Sequence, residues 1–90
     1  MEYIQLEWFH DVAEDPCIIY SEINEQRYEV RKIAAFKDGT YMKCNEEMIN
    51  SQIELADVSF PVNLEEINQD KQFYAKYINK EEFQKIWENC

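Results

Sequence analysis

The side chains most capable of chemistry in this sequence are one histidine and three cysteines, namely His10, Cys17, Cys44 and Cys90. A cysteine nucleophile needs a histidine within hydrogen-bond reach and a third group that orients the imidazole. A zinc site needs four ligands, which usually come in close pairs such as C-x-x-C. These four residues are widely spaced and form no such pair. We therefore expect a structural imidazole and reduced thiols, with neither a catalytic nor a metal site.

Adjacent carboxylates are the second candidate for chemistry, because two acids can share general acid and base roles. Neighbours in sequence do not share a helix face, and the helix dipole already explains acids at a helix N-terminus. The single glycine leaves no glycine-rich phosphate loop. We therefore predict that the protein is not an enzyme and uses no cofactor. The acidic pairs are Glu46-Glu47, Glu65-Glu66 and Glu81-Glu82.

The charge of the chain is strongly acidic and unevenly placed. The formal net charge is −10, yet residues 27–43 carry +3, which leaves −13 on the remainder. An acidic protein repels nucleic acid and anionic membranes, and it attracts basic proteins with an increased association rate. We therefore expect a basic protein partner, with no direct nucleic-acid contact and no membrane contact. The alternative is that the acidity only keeps the protein soluble.

Basic and aromatic side chains do alternate within residues 27–43, which is an arrangement that can bind single-stranded nucleic acid. The net charge argues against that use, and so does Glu29 inside the same segment. We expect these long basic side chains to cover a sheet surface and to pair with acids.

The candidate partner contacts are acidic residues in predicted loops and at predicted strand ends. If one of them is buried against a partner's Arg or Lys, its truncation should cost about 2–5 kcal/mol. Most of the others should cost little, because a few residues carry most of the binding energy of an interface. The candidates are Asp11, Glu14, Asp15, Glu22, Glu25, Glu46 and Glu47.

The elements that must position these residues are mostly strands. Apolar residues alternate with polar ones over residues 3–10, and β-branched and aromatic residues fill residues 17–23. A third strand is predicted over residues 27–36. Asp38-Gly39 then forms a tight turn into a fourth strand over residues 40–44, because this dipeptide supplies positive φ angles.

The second half of the chain is predicted to be less regular until its end. Ile53 and Leu55 are compatible with a short edge strand, and a helical turn is predicted over residues 64–69. The clearest helix covers residues 79–87, where Asn79 caps the N-terminus and Glu82 stands three residues later.

This order of strands followed by helices predicts an α+β fold. We expect one domain over residues 1–90, a curved antiparallel sheet of four to five strands with the C-terminal helix packed on one face. Residues 1–7 lack the basic and apolar regions of a signal peptide, and no apolar run is long enough to span a membrane. We therefore expect a cytoplasmic protein, either a monomer or a weak homodimer through an exposed edge strand.

Several short motifs occur along the chain in the same order as in a known family of proteins. They include the opening Tyr3-Ile4-x-Leu6-x-Trp8, the run from Arg27 to Lys32 followed by Asp38-Gly39, and the Lys80-Glu81-Glu82-Phe83 ending. In these the chain resembles a family of small acidic bacterial proteins, which are similar to immunity proteins of contact-dependent growth inhibition and related polymorphic toxin systems. Residues 45–62 depart from the glycine-rich, proline-containing segment of that family.

The resemblance implies an immunity protein that neutralises a cognate toxin domain by occluding its active site. It implies no catalytic residues. The acidic charge is an independent reason to expect a basic toxin domain, such as a nuclease, as the partner. The alternative is a general protein-interaction or regulatory module without a toxin partner.

Overall fold

The computed structural model describes residues 1–47, 53–56 and 58–89. Within these residues, five strands form one antiparallel sheet and two helices pack against it, which confirms the predicted α+β fold. The elements in chain order are β1 (Glu2–Trp8), β2 (Ile18–Ile23), β3 (Glu29–Ala35), β4 (Tyr41–Asn45), α1 (Glu65–Asn68), β5 (Phe73–Ile78) and α2 (Lys80–Glu88).

The strand order across the sheet is β4-β3-β2-β1-β5. The first four strands therefore form the predicted meander, and β5 returns to pair with the free side of β1. The prediction of an edge strand at Ile53 and Leu55 is wrong, because these residues are irregular in the structure. The fifth strand lies instead between the two helices, where Phe73, Ala75 and Tyr77 fall on one face of the sheet.

One face of the sheet, the helix face, is covered by α2. Phe83 is fully buried there, and its ring centroid lies 5.2 Å from that of Tyr3. The backbone N–H of Glu82 donates to the Asn79 side chain at 2.8 Å, so the predicted N-cap is confirmed. This cap starts the helix where Phe83 can reach the core. The buried residues of the helix face are Tyr3, Tyr20, Ile33, Ala35 and Phe83.

The opposite face, the loop face, is covered by α1 and by irregular backbone that includes Phe60. Leu64 and Ile67 contribute apolar side chains from the region of α1. The sheet therefore buries side chains on both faces, which is why Tyr3 and its neighbour Ile4 are both buried although they point in opposite directions. The buried residues of the loop face are Ile4, Ile23, Leu64 and Ala75.

An irregularity in the pairing of β2 with β3 changes the face of the sheet on which the first side chains of β3 lie. Glu22 pairs with Arg31, but the next residue, Ile23, pairs with Glu29, so Val30 has no counterpart on β2. Simple alternation would put Glu29 and Arg31 on the same face. The extra residue instead sends Arg31 to the helix face and Glu29 to the loop face, as a β-bulge does.

Candidate functional site

His10 organises the loop between β1 and β2. The backbone N–H of Val12 donates to Nδ1 at 3.0 Å, so Nδ1 is an acceptor and Nε2 carries the proton. Nε2 then donates to the carbonyl oxygen of Pro16 at 2.8 Å. The ring also contacts Trp8, with centroids 4.4 Å apart. Both nitrogens are therefore used to shape the loop, in agreement with the structural role predicted for this imidazole.

The predicted partner contacts divide between the two ends of the sheet. Asp11, Glu14 and Asp15 lie in the β1–β2 loop, while Glu25 lies in the β2–β3 turn at the opposite end, where β4 also delivers Glu46 and Glu47. Six-residue strands separate the two groups by roughly 20 Å. Among the residues that the structure describes, no hydrogen bond or ion pair reaches these six carboxylates.

Glu22, the seventh candidate, is committed to the fold itself. Its side chain is 10% exposed and its Oε1 lies 2.7 Å from Nε of Arg31. Oε2 accepts hydrogen bonds from Nη2 of Arg31 at 2.9 Å and from the Tyr3 hydroxyl at 2.7 Å. The bond from Arg31 holds the pKa of Glu22 below its ordinary value. Both oxygens are satisfied internally, so we do not retain Glu22 as a partner contact.

Arg31 joins this ion pair to α2. Its guanidinium carbon lies 4.8 Å from the ring centroids of both Phe83 and Trp87, which is cation–π distance. Nη2 also donates to Oε1 of Gln84 at 3.1 Å. Burial, helped by the hydrogen bond to Glu22, raises the pKa of Tyr3. Arg31, Glu22 and Tyr3 together therefore form a structural clamp between β3 and α2.

Arg27 forms a second clamp, on irregular backbone. Its Nε donates to the carbonyl oxygen of Phe60 at 2.9 Å, and Nη2 donates to that of Pro61 at 2.6 Å. Nη1 lies 2.9 Å from the carboxylate of Glu2, and Nη2 donates to the Tyr77 hydroxyl at 2.9 Å. The backbone of Arg27 has φ +68°, a left-handed conformation that is uncommon for a residue with a Cβ atom.

The three lysines of residues 27–43 are engaged in the same way. Nζ of Lys32 lies 3.3 Å from Oε1 of Glu29, Lys43 donates to the carbonyl oxygen of Trp87 at 3.0 Å, and Lys37 donates to that of His10. All five cations of this basic segment therefore bond within the fold. Three of these cations are paired with carboxylates, whereas Lys37 and Lys43 bond carbonyl oxygens and keep their charge.

Glu29 is a buried carboxylate that sequence reasoning missed. The Ser21 hydroxyl donates to its Oε2 at 2.6 Å, and the backbone N–H of Ala56 donates to its Oε1 at 2.7 Å. Lys32 links Glu29 to the same irregular segment, because its Nζ also donates to the carbonyl oxygen of Glu54 at 2.8 Å. No local sequence pattern predicts the bond between Ala56 and Glu29, because these residues are 27 positions apart.

Neither of the described cysteines, Cys17 and Cys44, is part of a disulfide, whereas Cys90 lies outside the described residues. Over residues 1–47, 53–56 and 58–89, no group of three or more His, Cys, Asp or Glu side chains is arranged to hold a metal ion. Neither described helix has the length and apolar character needed to cross a membrane.

Comparison with curated proteins and with solved structures finds no match. Residues 2–90 match a family described as a domain of unknown function, DUF6881. Since this match covers almost the whole chain, the protein belongs to the DUF6881 family.

Proposed function

We propose that this protein is a cytoplasmic immunity protein, which binds a basic toxin domain, such as a nuclease, and neutralises it by occluding its active site. The observation that carries the proposal is the division of charge. All five cations of residues 27–43 form hydrogen bonds or ion pairs within the chain, whereas six predicted contact carboxylates have no partner among the described residues. These six carboxylates are therefore the acidic groups that can meet the cations of a partner.

Such a surface suits tight inhibition of a basic enzyme. A nuclease active site must attract phosphates, so it presents Lys and Arg in a groove. Unpaired carboxylates steer association with such a groove and then compete for its cations. The inhibitor needs no chemistry of its own, which agrees with the structural use of His10 and of Glu22.

Of the two acidic ends of the sheet, the end with the β1–β2 loop is the better candidate for the contact surface. It carries Asp11, Glu14 and Asp15 beside two exposed apolar side chains, Phe9 and Val12. A mixture of apolar anchors and charged residues is typical of protein interfaces. The His10 hydrogen bonds hold this loop in one shape, which lowers the entropy that binding would otherwise cost.

The same exposed Phe9 and Val12 also fit a regulatory protein-interaction module without a toxin partner. That alternative differs in one respect that can be measured. A toxin partner is harmful when expressed alone, whereas a housekeeping partner is not.

The proposal is tested by affinity capture of the tagged protein from its native cells, at low and then at high salt. A stoichiometric basic protein should be retained at low salt and released by salt, because screening weakens exposed charge pairs. It should be toxic when expressed alone and harmless when co-expressed with this protein. Binding that is insensitive to salt would contradict charge steering, and recovery of non-toxic partners only would favour the alternative.

Matched charge variants locate the contact. One variant carries Asp11→Asn, Glu14→Gln and Asp15→Asn, a second carries Glu25→Gln, Glu46→Gln and Glu47→Gln, and a control carries Glu65→Gln, Glu66→Gln and Asp70→Asn. All three remove the same charge. Loss of capture in the first or second variant but not in the control assigns the partner to that end of the sheet. Equal loss in all three would show that only net charge matters.

A further inference from the structure

The β1–β2 loop contains a kind of turn that recurs along the chain, but with a different acceptor. In this turn a side-chain atom of one residue accepts the backbone N–H of the residue two positions later. Among the residues that the structure describes, five such turns use an oxygen of Asn or Asp, at N···O distances of 2.9–3.0 Å. The sixth uses Nδ1 of His10, which accepts the N–H of Val12 at 3.0 Å. The five oxygen acceptors belong to Asn24, Asp38, Asn45, Asn63 and Asp70.

The nature of the acceptor decides how each turn responds to pH. An amide oxygen accepts hydrogen bonds at every pH, and a carboxylate does so, as a rule, down to about pH 4. An imidazole changes its charge between about pH 5 and 8, and its cationic form has an N–H on both nitrogens. Of these six turns, the one at His10 is therefore the one whose hydrogen bond is lost when the medium becomes mildly acidic.

The two hydrogen bonds of the His10 ring respond to protonation in different ways. Nε2 donates to the carbonyl oxygen of Pro16 at 2.8 Å in the neutral ring, and it still donates in the cation. Nδ1 gains an N–H that points at the N–H of Val12, so the acceptor is replaced by a second donor. The ring is half-buried, so water reaches it. Protonation therefore breaks the bond at the start of the loop and keeps the bond at its end.

The other ionisable groups around His10 keep their state while the imidazole titrates. Carboxylates and ammonium groups remain charged between about pH 5 and 7 as a rule, and thiols remain neutral. The ring shares a cleft with Glu7, Cys17 and Lys37, and Nζ of Lys37 donates to the carbonyl oxygen of His10. The loop and the two adjoining turns add Asp11, Glu14 and Asp15, and the pairs Lys37-Asp38 and Asp70-Lys71. His10 is the only histidine of the chain, so a charge change in this range belongs to it.

We propose that His10 makes the β1–β2 loop a pH-sensitive contact surface, which is held in shape by the neutral imidazole and released by its protonation. Once the bond from Val12 is lost, Asp11 and Val12 are no longer held in one position, so binding through them costs more entropy. The imidazolium also adds a positive charge among the acids of the loop, which weakens the attraction to a basic partner. The effect on the partner rests on the proposed function, whereas the release of the loop does not.

The release of the loop is tested on the protein alone, by hydrogen exchange at the Val12 amide. Rapid deuterium labelling at about pH 7 and at about pH 5 gives the protection of this amide relative to an unstructured peptide at the same pH. His10→Asn is the matched variant, because it supplies the kind of oxygen acceptor that the five other turns use. His10→Ala removes the acceptor. The amide of Gln72, which donates to Asp70, is the internal control.

In the wild-type protein, the protection of Val12 should fall about tenfold at the lower pH, because one hydrogen bond is lost. In His10→Asn it should be the same at both pH values, and in His10→Ala it should be absent at both. The protection of Gln72 should stay unchanged in all three proteins, and circular dichroism and thermal unfolding check that each one folds. Unchanged protection of Val12 in the wild-type protein, or an equal fall in His10→Asn, would overturn the inference.

The effect on the partner is measured by washing the captured complex at the same two pH values and at low salt. The wild-type protein should release the captured basic protein at the lower pH, whereas His10→Asn should retain it. Equal release from both proteins would overturn the regulatory role of His10 and leave the immunity function standing. If capture returns no toxic basic protein, the immunity function fails, and exchange at Val12 still decides whether protonation releases the loop.

Discussion

The two faces of the sheet are both buried, but they are covered by different means. The helix face is covered by α2, a nine-residue helix whose Phe83 is fully buried against Tyr3. The loop face is covered partly by irregular backbone, which Arg27 and Glu29 hold through bonds to the main chain at residues 56, 60 and 61. The helix is attached by apolar packing together with the contacts of Arg31 and Lys43, whereas the irregular backbone is attached largely by polar groups that bond its main chain.

The difference has an energetic reason. A helix satisfies most of its own backbone hydrogen bonds, so it can be attached through side chains alone. Irregular backbone has unpaired N–H and C=O groups, and burying them without partners is costly. The loop face therefore needs charged side chains that reach the main chain. Removing apolar area should damage the helix face most, and removing single polar groups should damage the loop face most.

The largest effect is expected from Phe83→Ala on the helix face. Truncating a fully buried aromatic residue should lower the free energy of unfolding by about 3–5 kcal/mol, measured by urea denaturation. Tyr74→Ala is the control, because Tyr74 lies on the same face but is 47% exposed, and its cost should stay within about 0.5 kcal/mol. A loss below about 1 kcal/mol for Phe83→Ala would show that α2 is not attached by packing.

A slightly smaller loss is expected from Glu29→Ala on the loop face. It leaves the Ser21 hydroxyl and the Ala56 N–H without their acceptor, which should cost about 3 kcal/mol. Amide exchange at Ala56 should accelerate, because its hydrogen bond is gone. Glu29→Gln keeps one acceptor oxygen and should lose less. Unchanged exchange at Ala56 in Glu29→Ala would contradict the polar attachment.

The free energies of unfolding of two Arg27 variants should differ by about 1 kcal/mol. Both Arg27→Ala and Arg27→Gly remove the bonds to Phe60 and Pro61, so both should be destabilised. Glycine adopts φ +68° without the penalty that a Cβ atom imposes, so Arg27→Gly should be the more stable of the two. Thermal unfolding of the pair measures the difference, and equal stability would argue against a left-handed backbone there.

The smallest effect is expected in the pH dependence of stability. The pKa of Glu22 is lowered in the folded state, chiefly by the bond from Arg31. Between the folded and the ordinary pKa the unfolded chain binds more protons, so stability falls as pH falls through that window. In the Glu22→Gln variant, the free energy of unfolding measured by urea denaturation should depend less on pH within this window. Glu25→Gln, which removes an exposed carboxylate, should not, and equal slopes in both would contradict the clamp.

Local patterns predicted much of the helix face correctly. The alternation around Tyr3, the Asp38-Gly39 turn and the Asn79 cap all lie within a few residues of the elements that they specify, and the structure confirms each of them. The short edge strand considered at Ile53 and Leu55 does not form, and the fifth strand is Phe73–Ile78, where apolar and polar residues do not alternate clearly. The predicted contact acids lie outside the core except Glu22, whose partner Arg31 is nine residues away on the neighbouring strand.

The sequence by itself determined the class of fold and the acidic character of the protein. Strand alternation, turn chemistry and helix capping depend on residues that are close in the chain, so they can be read from it. Only the tertiary structure decided which charges are paired within the chain. The bulge at Val30 separated Glu29 from Arg31, and the strand order brought Arg27 to Glu2 and to Tyr77. Those pairings depend on contacts between distant segments, which no local pattern encodes.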